Sequence, residues 1–325
     1  MDLRQLEYFV RVVESGSFSR AALVLDVAQP ALSRQVRRLE VEFSQRLLDR
    51  DGRGVTPTEA GRQLLERSRG LLHQAQRIRD ELGQARGALV GRVVVGLPPS
   101  LSRALAVPLT RAFRERLPDA ELSLREGLTL TMQGSLVAGE LDIALLLGIA
   151  PRPEIEFEPL GEDPLVLVHR ARGAIAGVDR ARAGLDEAPD RDLGPDLGEA
   201  PLPLAALAGL PLVIPSRPNS LRVLVETELG AIGARPRIAL EVDSVAAILD
   251  LVADGAGCAV LSRHALGLAP GGAALATRAL GEPPLATRVS LAVGARRPSS
   301  ETLKVATAVV GGQAARLLGS RRADA

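Results

Sequence analysis

The chain has 325 residues, a formal net charge of +1 and 46% hydrophobic residues, a length that suggests two or three packed domains. A net charge so close to zero gives no bulk attraction to nucleic acid, so any DNA contact must come from local basic clusters. The one cysteine, Cys258, excludes an internal disulfide bond. Because neither a secretion signal nor a run of about 18 apolar residues is present, we expect a cytoplasmic protein without membrane contact.

A pair of short helices joined by a tight turn is predicted within residues 16–40. Ser17 is a favourable N-cap for the first helix, and alanine and leucine then form an apolar face. Pro30 stands at the start of the second helix, where its missing N–H is tolerated best. The other sides of this second helix carry amide, hydroxyl and guanidinium groups, which read base edges and hold phosphates in the major groove. These groups belong to Gln29, Ser33, Arg34 and Arg37.

The surroundings of this helix pair strengthen the DNA-binding interpretation, because an arginine-bearing helix alone is usually just a solvated surface. An apolar helix precedes the pair and can form its floor. A Gly-rich hairpin tip with Arg50 and Arg53 follows, and Thr58 then caps a long helix. Three helices and a basic hairpin together predict a winged helix-turn-helix.

The stretch AALVLDVAQPALSRQVRRLE, followed by RGVTPTEAG, resembles the N-terminal signature of LysR-type transcriptional regulators. The resemblance runs almost unbroken through residues 1–65 and implies an operator or promoter in double-stranded DNA as partner, with RNA polymerase as a candidate protein partner. Ala28 departs from the Ser or Thr cap of many members, which weakens the start of the second helix by about 1 kcal/mol. The expected DNA-binding residues are Ser17, Ser19, Gln29, Pro30, Ser33, Arg34, Arg37, Arg50 and Arg53.

A long helix is predicted from residue 58 to about residue 88. Its apolar side chains run roughly along one stripe that the small winged domain cannot cover alone, so a helix of a second chain is expected to cover it. The sequence therefore predicts a homodimer, and a homotetramer if the C-terminal domains also pair. The stripe consists of Leu64, Leu65, Leu71, Leu72, Ile78 and Leu82.

From residue 91 onward, predicted strands alternate with helices, which favours a parallel sheet in an open α/β domain. The segments AGELDIALLL and DSVAAILDLVADGAGCAVLSRHAL are similar to patterns of the LysR family. This resemblance implies a two-lobed effector domain like that of periplasmic binding proteins, in which the chain crosses between the lobes near residues 150–163 and again near residue 265. PSRPNSLRVLVE resembles the nitrogen-assimilation-control branch of the family.

The expected fold class is α/β overall, with three parts in chain order. Residues 1–58 form the winged helix-turn-helix domain, whose helix-turn-helix motif covers about 18–37, and residues 59–90 form the linker helix. The effector-binding domain covers residues 91–325, with lobe 1 at about 91–162 and 266–310 and lobe 2 at about 163–265. Residues 171–203 are rich in Asp, Gly, Pro and Ala and are interpreted as a loop insertion.

The sequence contains no convincing catalytic set, and we expect neither an enzyme nor a cofactor. Cys258 follows a glycine turn into a buried strand and is interpreted as a core thiol. The three histidines lie far apart, without the spacing of metal ligands. In contrast, four hydroxyl residues at strand-to-helix turns suit a small anionic effector between the lobes, because free N–H groups at helix starts favour anions. These residues are Ser100, Thr129, Ser216 and Ser220, of which Ser100 is expected to cap a helix over residues 101–117.

Two other functions remain open at this point. Residues 91–325 alone would also fit a solute-binding receptor, although the missing signal peptide and the N-terminal motif argue against it. An enzyme on an α/β scaffold is the second alternative, and the absent catalytic set argues against that.

Overall fold

The computed structural model describes residues 1–51, 54–83, 89–148, 152–171, 201–268, 275–281, 284–295 and 300–319. Its N-terminal part is the predicted winged helix-turn-helix followed by a long helix. The elements are α1 (Leu3–Ser15), α2 (Phe18–Val24), α3 (Gln29–Glu42), the hairpin of β1 (Leu48–Asp51) and β2 (Gly54–Pro57), and α4 (Glu59–Gly83).

The N-terminal helices begin where the predicted caps lie. The hydroxyl of Ser17 accepts the N–H of Arg20 at the start of α2, and Thr58 Oγ1 accepts the N–H of Gly61 at 3.1 Å at the start of α4. Ala28 offers α3 no side-chain hydrogen bond, as its methyl group dictates. The core below these helices contains Phe9, Leu32, Val36 and Leu39.

The hairpin is held against the turn between α1 and α2. The N–H of Val55 donates to the carbonyl oxygen of Gly16 at 3.1 Å. Gly54 has a φ of +148°, and a Cβ on it would lie only 2.9 Å from that same oxygen. Only glycine therefore fits this close approach, which fixes the wing relative to the helix-turn-helix.

The C-terminal part begins with elements that alternate as predicted. They are β3 (Gly91–Leu97), α5 (Pro99–Arg116), β4 (Ala120–Glu126), α6 (Thr129–Ala138), β5 (Ile143–Leu147) and β6 (Ile155–Arg170). After β6 come β7 (Pro211–Ile214), α7 (Ser220–Ala231), β8 (Arg237–Glu241), α8 (Val245–Asp254), β9 (Ala259–Ser262), β10 (Leu275–Ala279), β11 (Ala286–Gly294) and α9 (Glu301–Leu317). Short 3-10 helices cover Leu204–Gly209 and Arg263–Leu268.

The expectation of a parallel sheet is wrong for the larger sheet, which is mixed. Strands β3, β4 and β5 are parallel, but β11 runs antiparallel to both β5 and β6. Strand β6 is one continuous crossover: residues 155–164 pair with β11, whereas residues 165–170 pair with β9 and β10. The antiparallel pairs arise because β6 carries the chain out of the first lobe and β11 brings it back. The chain therefore returns to the first lobe only after β10, later than the crossing expected near residue 265.

Each lobe has its own aliphatic core. The first contains Leu97, Leu105, Phe113 and Leu145, and α9 packs on α5 there, so the last helix returns to the first lobe as predicted. The second core includes Cys258, which is fully buried. Burial raises the pKa of this thiol to about 12, so it stays protonated and unreactive, as expected for a core thiol. Most of the predicted insertion at 171–203 lies outside the described residues.

Candidate DNA-binding surface and effector cleft

Helix α3 separates an apolar face from a polar face. Leu32, Val36 and Leu39 are fully buried in the N-terminal core. The expected DNA-binding residues of this helix lie on the other side: Ser33 is half-buried, and Gln29, Pro30, Arg34 and Arg37 are exposed. The exposed face therefore presents amide and guanidinium groups to solvent, the chemistry that reads base edges.

Helix α3, the expected recognition helix, and the wing share one surface. Ser33 and Arg37 of α3 line a shallow cleft of about 470 Å³ together with Arg50 of β1 and Arg46, which precedes that strand. The guanidinium of Arg50 stacks over the Phe18 ring at 4.4 Å from the ring centroid, which fixes its direction. Arg46 was not among the expected DNA-binding residues. Its position just before the hairpin was the available signal.

Three expected DNA-binding residues remain: Ser17, Ser19 and Arg53. Ser17 already accepts a backbone N–H as the cap of α2, but its own hydroxyl proton remains a donor. Ser19 is exposed in the first turn of α2. Arg53, expected at the tip of the wing, lies outside the described residues.

The apolar stripe of α4 divides into two sets. Leu64, Leu65 and Leu72 pack against the N-terminal core, so they need no second chain. Leu71 and Ile78 point away from that core and are 44% and 56% exposed. The surface that needs a partner is therefore narrower than the sequence pattern predicts. The side chain of Leu82 lies outside the described residues.

At the carboxyl ends of β3 and β5, the expected effector residues take different roles. Helix α5 begins at Pro99, with Pro98 as N-cap, so the prediction that Ser100 caps this helix is wrong. Pro99 has no N–H, and the N–H of Leu101 donates to the Pro98 carbonyl at 3.0 Å. Fewer free amides than expected therefore face an anion here. Ser100 is half-buried in the first turn.

Thr129 and Ser220 both lie next to the end of β5. Thr129 Oγ1 donates to the Leu147 carbonyl at 3.0 Å and accepts the Leu147 N–H at 3.1 Å. Beyond that residue, a Cβ on Gly148 would lie 3.6 Å from both Ser220 Cβ and Thr287 Oγ1. The fold thus brings the start of α6 from the first lobe close to the start of α7 from the second.

The second-lobe turn is already occupied by its own hydrogen bonds. The N–H of Ser216 donates to Asp243 Oδ1 at 2.9 Å. Asn219, rather than Ser220, caps α7 by accepting the Leu221 N–H at 2.9 Å. The backbone N–H of Ser216 is therefore engaged with a carboxylate, and its carbonyl oxygen accepts the N–H of Asn219 at 3.1 Å.

Sequence reasoning missed a buried carboxylate on the crossover strand. Asp163 is fully buried opposite Thr287 on β11, and its Oδ1 lies 3.8 Å from His264 Nε2. Burial raises the pKa of Asp163, and the Ser262 hydroxyl and His264 offset this only in part. A single acidic residue within a strand pattern gives no signal of such an environment.

The raised pKa of Asp163 predicts a pH-dependent effect of Asp163→Asn. The native carboxyl holds its proton above the pH at which the unfolded chain releases it, so ionisation destabilises the native state as pH rises. We expect the difference between the thermal midpoints, variant minus parent, to be larger at pH 7 than at pH 4. Thermal unfolding followed by circular dichroism measures this difference, and a difference independent of pH would contradict the prediction.

No helix in the described part of the chain is long and apolar enough to span a membrane. Among the same residues, no group of three or more His, Cys, Asp or Glu side chains is arranged to hold a metal ion.

Comparison with family models gives two matches that together cover most of the chain. Residues 3–62 match "Bacterial regulatory helix-turn-helix protein, lysR family", and residues 86–314 match "LysR substrate binding domain". The nitrogen assimilation regulatory protein Nac of Klebsiella aerogenes is 32% identical over 308 residues, which is 94% of this chain and 93% of that protein. Its Escherichia coli counterpart is 30% identical over 266 residues, 82% of this chain and 79% of that protein. Both relatives agree with the resemblance of PSRPNSLRVLVE to that branch.

Solved structures lead to the same family. The crystal structure of CbnR, a LysR family transcriptional regulator, superposes with a TM-score of 0.69 at 25% identity, covering 97% of this chain and 99% of that one. Full-length CbnR complexed with its target DNA gives a TM-score of 0.68 at 25% identity, covering 96% and 100%. These relatives are transcription regulators and not enzymes. The chain belongs to the LysR family of DNA-binding transcription regulators, with an N-terminal helix-turn-helix and a C-terminal effector-binding domain.

Proposed function

We propose that the protein acts as a homodimer, or as a tetramer of two such dimers, that reads a palindromic operator through two α3 helices. The observation that carries this proposal is the polar face of α3, which exposes Gln29, Arg34 and Arg37 near Arg46 and Arg50. In helix-turn-helix proteins the N-terminal residues of the second helix contact base edges. A gel shift with the DNA upstream of the protein's own gene tests it, and absence of a sequence-specific complex would contradict it.

The proposed role of Arg50 is to hold the DNA backbone. Arg50→Ala is expected to weaken binding to all DNA sequences about equally and to reduce the slope of log affinity against log salt by about one, because one phosphate contact is lost. Titrations of operator and unrelated DNA at several salt concentrations measure both effects. Arg116→Ala, an exposed arginine on α5, is the matched control. A loss confined to one DNA sequence would contradict the backbone role.

Dimerisation through α4 is supported by its outward apolar side chains. Leu71 and Ile78 are exposed in the single chain, whereas Leu64, Leu65 and Leu72 of the same helix pack against the N-terminal core. A two-fold dimer would place two recognition helices on the two halves of a palindromic site. Residues 58–88 are the proposed dimer segment.

A small anionic metabolite between the lobes is the proposed effector. Its support is the position of Ser100, Thr129 and Ser220, which lie at the starts of α5, α6 and α7. Ligands of open α/β sheets bind beyond the carboxyl ends of the strands, near helix starts. A metabolite shifts the regulator only if it binds one arrangement of the lobes better than another. Contacts from Ser100, Thr129 and Ser216 are proposed to hold it.

Ser100→Ala is expected to weaken the binding of such a metabolite by about 1 kcal/mol or somewhat more, because a hydrogen bond to a charged group is lost. Calorimetry of the full chain with a panel of small carboxylates identifies a binder and then compares the variant with the parent. Ser300→Ala is the control, because it removes a serine hydroxyl that caps α9 and is not among the proposed contacts, so any loss of affinity from destabilisation alone would appear there. A binder whose affinity is indifferent to substitution of Ser100, Thr129 and Ser216 would contradict this placement of the site.

A further inference from the structure

A histidine of the linker helix α4 is bonded to a buried carboxylate of the first lobe. His73 Nε2 lies 3.0 Å from both Oδ1 and Oδ2 of Asp142, which directly precedes β5. Asp142 is only 1% exposed, and its Oδ2 also accepts the N–H of Val94 on β3 at 2.8 Å. The carboxylate is therefore held by the sheet, and His73 of α4 contacts it.

One turn earlier, the same face of α4 touches the first lobe through a glycine. A Cβ built on Gly70 would lie 1.8 Å from the carbonyl oxygen of Ala138, at the end of α6. Any side chain there would force the helix away from the lobe. Gly70, His73, Ala138 and Asp142 form a contact that we call the linker seam.

The linker seam lies where the DNA-binding domain, α4 and the first lobe meet. A cleft of about 380 Å³ beside it is lined by side chains from α1, α4, β3 and β4. Arg69, next to Gly70, bonds Glu14 of α1 at 3.1 Å, so α4 is tied to the DNA-binding domain on the same stretch. A change in the direction of α4 at the seam would therefore move the DNA-binding domain relative to the first lobe.

The unit formed by α6 and β5 connects this seam with the proposed effector cleft. Its cleft end holds Thr129 and Leu147, joined by two hydrogen bonds, and its seam end holds Ala138 and Asp142. Helix α6 has 10 residues and so spans about 15 Å. Buried Met132 and Leu136 pack it on the sheet, which makes it suited to move as one body.

We propose that Gly70, His73 and Asp142 are positioning residues that set the angle of the linker helix on the effector domain, and that the α6–β5 unit transmits changes in the cleft to this seam. The second half of this inference rests on the proposed effector cleft. The first half requires neither an effector nor DNA. If these packed elements are coupled, breaking the contact at one end must move the part at the other end.

Pulsed electron paramagnetic resonance on the full chain tests the inference. Spin labels on cysteines introduced at Ser19 and Arg116, both exposed, report the distance between the DNA-binding domain and α5, with unlabelled chains in excess to suppress distances between protomers. The native Cys258 is buried and its raised pKa, about 12, keeps it from the label.

We expect a narrow distance distribution for the parent and a shifted or broader one for His73→Leu and Gly70→Ala. His73→Gln should stay close to the parent, because its amide can still donate to Asp142. Gly312→Ala is the matched control, since a Cβ at that helical glycine meets nothing within 4 Å. Circular dichroism checks that each variant is folded. Unchanged distributions in both His73→Leu and Gly70→Ala would overturn the seam.

Thr129→Val tests the transmission separately, because it removes both hydrogen bonds to Leu147 at the cleft end. A shift in the same distance supports transmission through α6 and β5. No shift would reject transmission while leaving the seam in place. Since these measurements use no DNA and no metabolite, failure of the seam is distinguishable from failure of the proposed effector site.

Discussion

Leu71→Asp is expected to convert the protein from a dimer into a monomer. Leu71 is 44% exposed on the outward face of α4, the face proposed to lie against a second chain. In a dimer, the new carboxylate would be buried without a partner in an apolar interface between the chains, which costs several kcal/mol. Light scattering at micromolar concentration measures the molecular mass directly. A parent that is already a monomer would refute the dimer.

The control for this variant is Val137→Asp on α6. Val137 is 42% exposed, almost the same as Leu71, but it lies on the effector domain. It should leave the dimer intact, so a general effect of an added surface charge is distinguished from an effect at the interface. A dimer that persists in Leu71→Asp would place the contact between chains elsewhere. Operator affinity should fall together with the dimer, because a palindromic site then loses one of its two recognition helices.

Arg34→Ala is expected to weaken specific binding by about 1–3 kcal/mol and to relax the preference at one base pair. Arg34 is exposed on the face of α3 opposite its buried leucines, near the end of the helix that enters the groove deepest. Affinities for the operator and for its single-base variants separate a base contact from a phosphate contact. A phosphate contact would lower all affinities alike.

The comparison for this variant is Arg50→Ala, which should act on all sequences and on the salt dependence. The two arginines are expected to differ because Arg34 lies on α3, whereas Arg50 lies in the wing and is stacked on Phe18 of α2. Operator affinity and base preference that both stay at the parent values would show that Arg34 does not read the operator.

The N-terminal domain could be predicted from the sequence because its determinants are local. Ser17 and Thr58 cap helices within three residues of themselves, and the spacing of Leu32, Val36 and Leu39 defines the buried face of α3 without reference to distant residues. The alternation of strands and helices after residue 91 was equally visible. The family followed from motifs in these same segments, and the matches over 3–62 and 86–314 confirm it.

The tertiary structure decided what depends on contacts between distant segments. Strand direction was one case. The sequence of β6 indicates only a strand, and its antiparallel partner β11 lies more than a hundred residues later in the chain. The cap of α5 was another, since the helix begins at Pro99 and leaves Ser100 inside its first turn. The division of the α4 stripe was a third, because its periodicity alone does not show which leucines the N-terminal core covers.

The linker seam shows the same limit most clearly. In the sequence, His73 looks like a surface histidine of a charged helix, and Asp142 is one acidic residue of a family motif. The two residues are 69 positions apart along the chain. Only the packing of α4 against α6 and β3 brings them to 3.0 Å and leaves Gly70 without room for a side chain. Sequence by itself therefore determined the local elements and the family of this protein. The tertiary structure determined how the DNA-binding helix is joined to the effector domain, because that joint is made of contacts between segments that no local pattern relates.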